Sequence, residues 1–170
     1  MRTIGVSIPI PQPYAERLHQ VRHAVGDPLA DAVPPHVTLM PPTDVERVDL
    51  VALRAHLRAV AAGSSAFRMI LNGTGTFRPV SPVVFVQVSR GIAECEQLEK
   101  LVRGGPVERE LEFPYHPHVT VAHHLDDAAL DDAFDELADF RATFEVDGFD
   151  LYEHGDDEVW RPVDRFAFGS

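Results

Sequence analysis

Lysine is almost missing from this chain: Lys100 is the only one, and 15 Lys plus Arg face 27 Asp plus Glu in 170 residues, a formal net charge of −12. A surface of that sign repels a long polyphosphate, because non-specific affinity for nucleic acid comes mainly from basic side chains neutralising phosphates. A local group of arginines can still hold one phosphate. Any nucleic-acid partner is therefore expected to be short, or gripped by one end. Cysteine is equally scarce. Cys95 alone excludes an intramolecular disulfide, and its place in a helical pattern marks a small packing residue. No apolar run approaches a membrane span. The start, MRTIGVSIPIPQPY, has neither the continuous apolar stretch nor the small-residue cleavage site of a signal peptide, so a cytoplasmic protein is expected. No low-complexity linker divides the chain. Its 45% hydrophobic and 25% charged residues suit a single domain with a sizeable core.

What is present alternates between strand and helix. TIGVSIPI places Ile4, Val6, Ile8 and Ile10 on one face with period two. A helix follows, with Tyr14, Leu18, Val21 and Val25 on one stripe and Gly26 as its stop. HVTLM is a short strand, Leu50 to Val60 carry a second helix ended by Gly63, and FRMIL is a strand broken by the turn NGTGT. The order then repeats: a strand at 83–89, a helix over 91–103 with Ile92, Cys95, Leu98 and Leu101 inward, the strand HVTVAHH, and an acidic helix in DDAALDDAFDELADF. TFEVDGFDLYEH and VWRPVDRFAFG are closing strands, expected to pair. The pattern predicts two copies of β-α-β-α-β in one bilobal domain, 1–170, with approximate lobes 1–78 and 79–170.

One tetrapeptide raises this above ordinary alternation. HVTL at 36–39 returns as HVTV at 118–121. On a strand, successive side chains point to opposite faces. Each copy therefore buries an aliphatic pair and presents an imidazole and a hydroxyl: His36 with Thr38, His118 with Thr120. If the copies meet about a pseudo-twofold axis, two imidazoles and two hydroxyls share a cleft. That set suits phosphodiester chemistry. A neutral ring takes a proton from the attacking oxygen, a protonated ring gives one to the leaving oxygen, and hydroxyls hold the non-bridging oxygens.

Paired His-x-Thr/Ser-x motifs about this far apart in a duplicated domain resemble the two-histidine (2H) phosphoesterases, which include 2'-5' RNA ligases and cyclic nucleotide phosphodiesterases. The resemblance covers nearly the whole chain. NGTGTFRPVSPVVFVQVS at 72–89 is similar to that family's Gly-x-Gly-x-Phe segment running into an apolar strand, and PHVTVA to its second motif. It implies an α+β fold with mainly antiparallel sheets facing a central cleft, His36, Thr38, His118 and Thr120 as the catalytic set, and a 2',3'-cyclic phosphate or related phosphodiester as substrate. Hydrolysis or ATP-free ligation would run without metal or cofactor, in a monomer acting on small nucleotides or short RNA ends. One departure stands out. Relatives often carry Arg just after the stretch matching HVTVA, and this chain has His123, a titratable group where they have a fixed charge.

Other residues carry competing readings. His116 and His118, at i and i+2, have a spacing that grips zinc, but the first copy has Pro34 where the second has His116, so the repeated chemistry omits it. The expectation is no metal. His123, Tyr115 and Phe77 are candidate substrate contacts, Tyr115 and Phe77 by stacking on a base, and Tyr152 is open to the same role; core packing explains each aromatic equally well. Arg68, Arg78, Arg161 and Arg165 are possible phosphate contacts that the sequence does not rank. A non-catalytic nucleotide-binding module and a metal-dependent hydrolase remain as alternative functions.

Overall fold

The computed structural model describes residues 1–169. Its elements follow in the order β1 (Arg2–Pro9), α1 (Tyr14–Ala24), β2 (His36–Val45), α2 (Arg47–Ala62), β3 (Phe67–Thr76), β4 (Val83–Arg90), α3 (Ile92–Arg103), β5 (His118–His123), α4 (Asp127–Glu136), β6 (Arg141–Val146), β7 (Gly148–His154) and β8 (Trp160–Ala167). The strands form two four-stranded sheets, ordered β2-β1-β7-β8 and β5-β4-β3-β6. Every neighbouring pair is antiparallel. The expected α+β class with duplicated β-α-β-α-β order holds.

The sheets are not built from consecutive halves. β3 and β4 flank the boundary placed between 78 and 79, and they are hydrogen-bonded neighbours in one sheet. β7 and β8, at the other end of the sequence, complete the sheet of β1 and β2. The first half thus lends β3 to the sheet of β4 and β5, and the second half lends β7 and β8 to that of β1 and β2, a swap that short-range pattern does not record. TFEVDGFDLYEH likewise divides at Asp147: β6 pairs with β3 in one sheet, and β7 pairs with β1 in the other.

Two further expectations change. NGTGT is not a turn but the second half of β3. Glycine is needed at 75 because the ring of Phe85 lies over it; a Cβ there would stand 2.7 Å from that ring. In α3 the buried stripe is Cys95, Leu98, Glu99 and Val102, while Ile92 and Leu101 are 39% and 48% exposed. Glu99 takes an inward place because Arg103, one turn on, pairs with it.

One continuous core fills the molecule. Val37 and Leu39 of β2, Val119 and Val121 of β5, and Leu53, Leu57, Leu71, Leu98, Leu130 and Phe149 belong to it. Each side chain of that size taken fully out of water contributes about 1.5–3 kcal/mol. The helices cross over like the strands: α1, which follows β1, packs against β5, and α3, which follows β4, packs against β2. No helix among the described residues is long and apolar enough to cross a membrane.

Candidate active site

β2 and β5 are outer strands of different sheets, and they lie against each other. Each starts on its motif histidine. Val37, Leu39, Val119 and Val121 are buried to 1% exposure or less. His36, Thr38, His118 and Thr120 alternate with them and are half-buried. The buried aliphatics fix each strand's register, because a slip of one residue would turn the imidazoles into the core.

The two rings are held alike. Nδ1 of His36 lies 2.7 Å from the carbonyl oxygen of Pro34, and Nδ1 of His118 lies 2.6 Å from that of His116. A carbonyl only accepts, so each Nδ1 carries the proton and donates. Nε2 is then a bare acceptor in the neutral ring and a donor in the charged one. The hydroxyls of Thr38 and Thr120 make no hydrogen bond among the described residues and are free to donate.

The walls differ. Ser7 stands cross-strand from Thr38, whereas Phe85 stands cross-strand from Thr120. His118 meets Phe77 and Phe85 edge-on, with ring centroids 5.0 and 5.3 Å away. The nearest ring to His36 outside its own strand is that of Tyr152, at 6.4 Å. Burial, only partly offset by the bond to the His116 carbonyl, pushes His118 down to about 4, and the charges of His116 and His36 add to the fall. His36 is lowered as well, first by burial and then by the Arg22 guanidinium, against the opposing bond to Pro34. Both imidazoles are therefore held neutral near pH 7, and the charge of His36 reaches His118. His36 lines the cleft beside the two sheets, whereas His118 sits against Phe77 and Phe85 outside its lining.

A cleft of about 210 Å³ opens on this face, lined by His36, Thr38, Thr120, His123, Tyr152 and Arg22. Leu29, Val33, Met40, Pro42 and Trp160 give it an apolar arm along the sheet of β1 and β2. A regular strand would place His123 opposite Thr120. Instead the register slips between Val84 and Phe85, leaving Val121 and Ala122 both buried and returning His123 to the cleft face. β2 slips at the matching place: Ser7 pairs with Thr38 and Val6 with Met40, and Leu39 and Met40 are both buried. Such bulges re-aim side chains beside a site. Burial, the His124 ring and Arg22 hold His123 below the ordinary imidazole value.

The other candidates part company. Phe77 touches His118. Tyr115 does not line the cleft; its hydroxyl donates to the main-chain carbonyl of Thr38 at 2.7 Å, tying the loop before β5 to β2. Arg78 is bound to Thr76 and Asp131, Arg161 to Asp157, and Arg165 to Asp147 and Asp150, while Arg68 is exposed; none of the four lines the cleft. His116 and His124 are exposed. Among the described residues no group of three His, Cys, Asp or Glu side chains converges. Sequence reasoning missed Arg22 and the apolar arm. Arg22 follows Val21 in a helix whose neighbours mark a core stripe, and no local pattern distinguishes it from a solvated arginine.

The sequence profile of the 2'-5' RNA ligase superfamily matches residues 10–158. A Bacillus cytotoxicus protein provisionally named a phosphoesterase is 30% identical over 145 residues, 84% of each chain. Among solved structures, Escherichia coli LigT complexed with NADP+ shares the fold with a TM-score of 0.74 at 20% identity over 99% of each chain. The protein TT0787 of Thermus thermophilus does so with a TM-score of 0.70 at 18% identity, over 100% of this chain and 99% of that one. LigT has also been seen with 3'-AMP and with ATP. Duplicated motif strands, a shared fold and a profile spanning most of the sequence place this chain in the 2'-5' RNA ligase superfamily, among its phosphoesterases.

Proposed function

We propose that the protein is a metal-independent phosphodiesterase that opens 2',3'-cyclic phosphates on small nucleotides or short RNA ends. The observation that carries this reading is the matched pair of imidazoles, each fixed through Nδ1 to a carbonyl two residues earlier, with two uncommitted threonine hydroxyls beside them. His118, walled by Phe77 and Phe85 and held neutral, takes the proton of the attacking water at Nε2. The water oxygen bonds to phosphorus. The bond from phosphorus to one ribose oxygen breaks, and His36, protonated at Nε2 when the anionic phosphate is bound, gives that oxygen its proton. Thr38 and Thr120 donate to the non-bridging oxygens as their charge grows. With a 5'-hydroxyl in place of water the same steps join two ends without ATP, because the strained ring already stores the energy. The nucleoside lies in the apolar arm against Trp160 and Tyr152; LigT, which shares the fold, binds 3'-AMP and ATP.

The test is turnover of the four nucleoside 2',3'-cyclic monophosphates in excess chelator, with the product isomer identified. Ring opening that survives chelation and is lost in His36→Ala and His118→Ala supports the reading. Binding without turnover would make the protein a nucleotide-binding module, and activity abolished by chelator would make it a metal-dependent hydrolase.

A further inference from the structure

Among the described residues, Arg22 is the one arginine whose side chain is both deeply buried and open to the cleft; the residue is 5% exposed. The chain is shaped to hold it. α1 ends in the sequence RHAVGD. Gly26 adopts φ 83°, which lets the backbone reverse so that the Asp27 N–H reaches the carbonyl of Arg22 at 3.1 Å. The Asp27 side chain, fully buried, then accepts from Nε of Arg22 at 2.6 Å with one oxygen and from the Leu29 N–H at 2.9 Å with the other. That carboxylate is spent on orienting the guanidinium by its inner edge. The two Nη groups have no partner among the described residues. Neither Nη is sealed from the cleft, so a ligand there can supply the partner that the protein withholds. A guanidinium held by one edge, with its fork left free beside His36, Thr38, Thr120 and His123, is the arrangement that takes two oxygens of a phosphate.

We propose that Arg22 is the phosphate-binding cation of this cleft, a substrate-contacting residue positioned by Asp27. The reacting phosphate rests on its Nη groups, which hold the phosphorus between the two imidazoles. The bound anion, in turn, offsets the charge by which Arg22 disfavours protonation of His36. His123 stands in the same cleft but is held toward its neutral form, so Arg22 supplies the fixed charge there. This inference rests on the proposed phosphodiesterase reading only for the identity of the substrate; anion binding by Arg22 does not require turnover.

Inorganic phosphate, which has neither a nucleoside nor a scissile bond, reads Arg22 apart from the reaction, and 3'-AMP reads the whole cleft. Calorimetric titration of both at fixed low salt is expected to show Arg22→Met weakened at least tenfold for each, with Arg22→Lys intermediate. Adding His123→Arg to Arg22→Met returns a guanidinium to the cleft from another strand and should recover much of the lost phosphate affinity, which a purely structural role for Arg22 would not allow. If the lone Asp27 carboxylate unfolds Arg22→Met, the double variant Arg22→Met/Asp27→Asn removes both charges and carries the same comparison. The proposal is overturned if the wild type does not bind inorganic phosphate, if folded Arg22→Met or the double variant binds it within twofold of wild type, or if affinity lost in them returns with neither Arg22→Lys nor His123→Arg. Phosphate binding that depends on Arg22 without turnover of cyclic phosphates would leave this inference standing and remove the proposed reaction.

Discussion

His36 and His118 are the same side chain in unlike walls, and that difference sets the pH behaviour. Ring opening needs one neutral and one protonated imidazole, and both rings start neutral near pH 7 because burial lowers both. In free enzyme a protonated ring appears only as pH falls below the usual imidazole range, since both rings are lowered and His118 stays neutral down to about 4. The profile of kcat/KM is therefore expected to peak on the acid side of neutrality, and that of kcat to extend to higher pH because bound phosphate stabilises the charged ring. Initial rates from pH 4 to pH 9 check this, and a kcat/KM optimum above pH 8 would contradict it. Stability moves with the same group. Between about 4 and the ordinary 6.5 the unfolded chain binds a proton at residue 118 that the folded chain refuses. Stability thus rises with pH across that window and levels off above it. Melting temperatures of His118→Gln should show a flatter acid limb than wild type. In catalysis, His36→Ala and His118→Ala should each cost on the order of 10²-fold or more, and the double variant much less than the product, since the rings act as a unit. Single-turnover rates measure all three.

At the scale of elements, the site depends on two bulged edge strands and on the strand behind one of them. Phe85 reaches His118 only because β3 carries glycine at 75, where a Cβ would meet the ring at 2.7 Å. Gly75→Ala should push the ring toward His118 and strain the β3–β4 pairing. The expected cost is about 1–3 kcal/mol, typical of forced overpacking, together with a fall in kcat and an altered acid limb of the pH profile. Denaturant melts and the rate profile check both; an unchanged profile in a destabilised protein would confine the role of Phe85 to packing.

For the whole molecule, the cleft exists because two edge strands from different sheets are brought together, and Tyr115 is one tie between them. Its hydroxyl donates to the Thr38 carbonyl at 2.7 Å. Tyr115→Phe removes that bond and keeps the ring; a loss of about 1 kcal/mol is expected, with KM raised more than kcat is lowered as β2 loosens beside the substrate. Denaturant titration and steady-state kinetics separate the two effects. The net charge of −12 acts at the same scale. A cyclic mononucleotide should be turned over at least as well as a long RNA carrying the same end, and lowering the salt should not reverse that order, because the surrounding surface repels what the cleft attracts.

Much of this was legible in one dimension. Hydrophobic period placed the strands and helices, since burial of alternating residues is a local property. The repeated His-Val-Thr tetrapeptide identified which imidazoles and hydroxyls share a strand face, because strand geometry fixes that within three residues. Where a decision depended on distant partners, the sequence was silent or misleading. Glycines at 73 and 75 suggest a turn until Phe85 is seen lying over one of them. His123 faces away from Thr120 unless the mismatch in pairing with β4 inserts a bulge. Tyr115 looks available for stacking until Thr38 claims its hydroxyl. Arg22 is one helix residue among others until α1 packs on the opposite copy's β5 and aims it into the cleft. Periodicity and motif specified what each segment offers; only the exchange of strands and helices between the two copies decided which of those groups meet, because contacts across separate sheets are set by packing that no single segment contains.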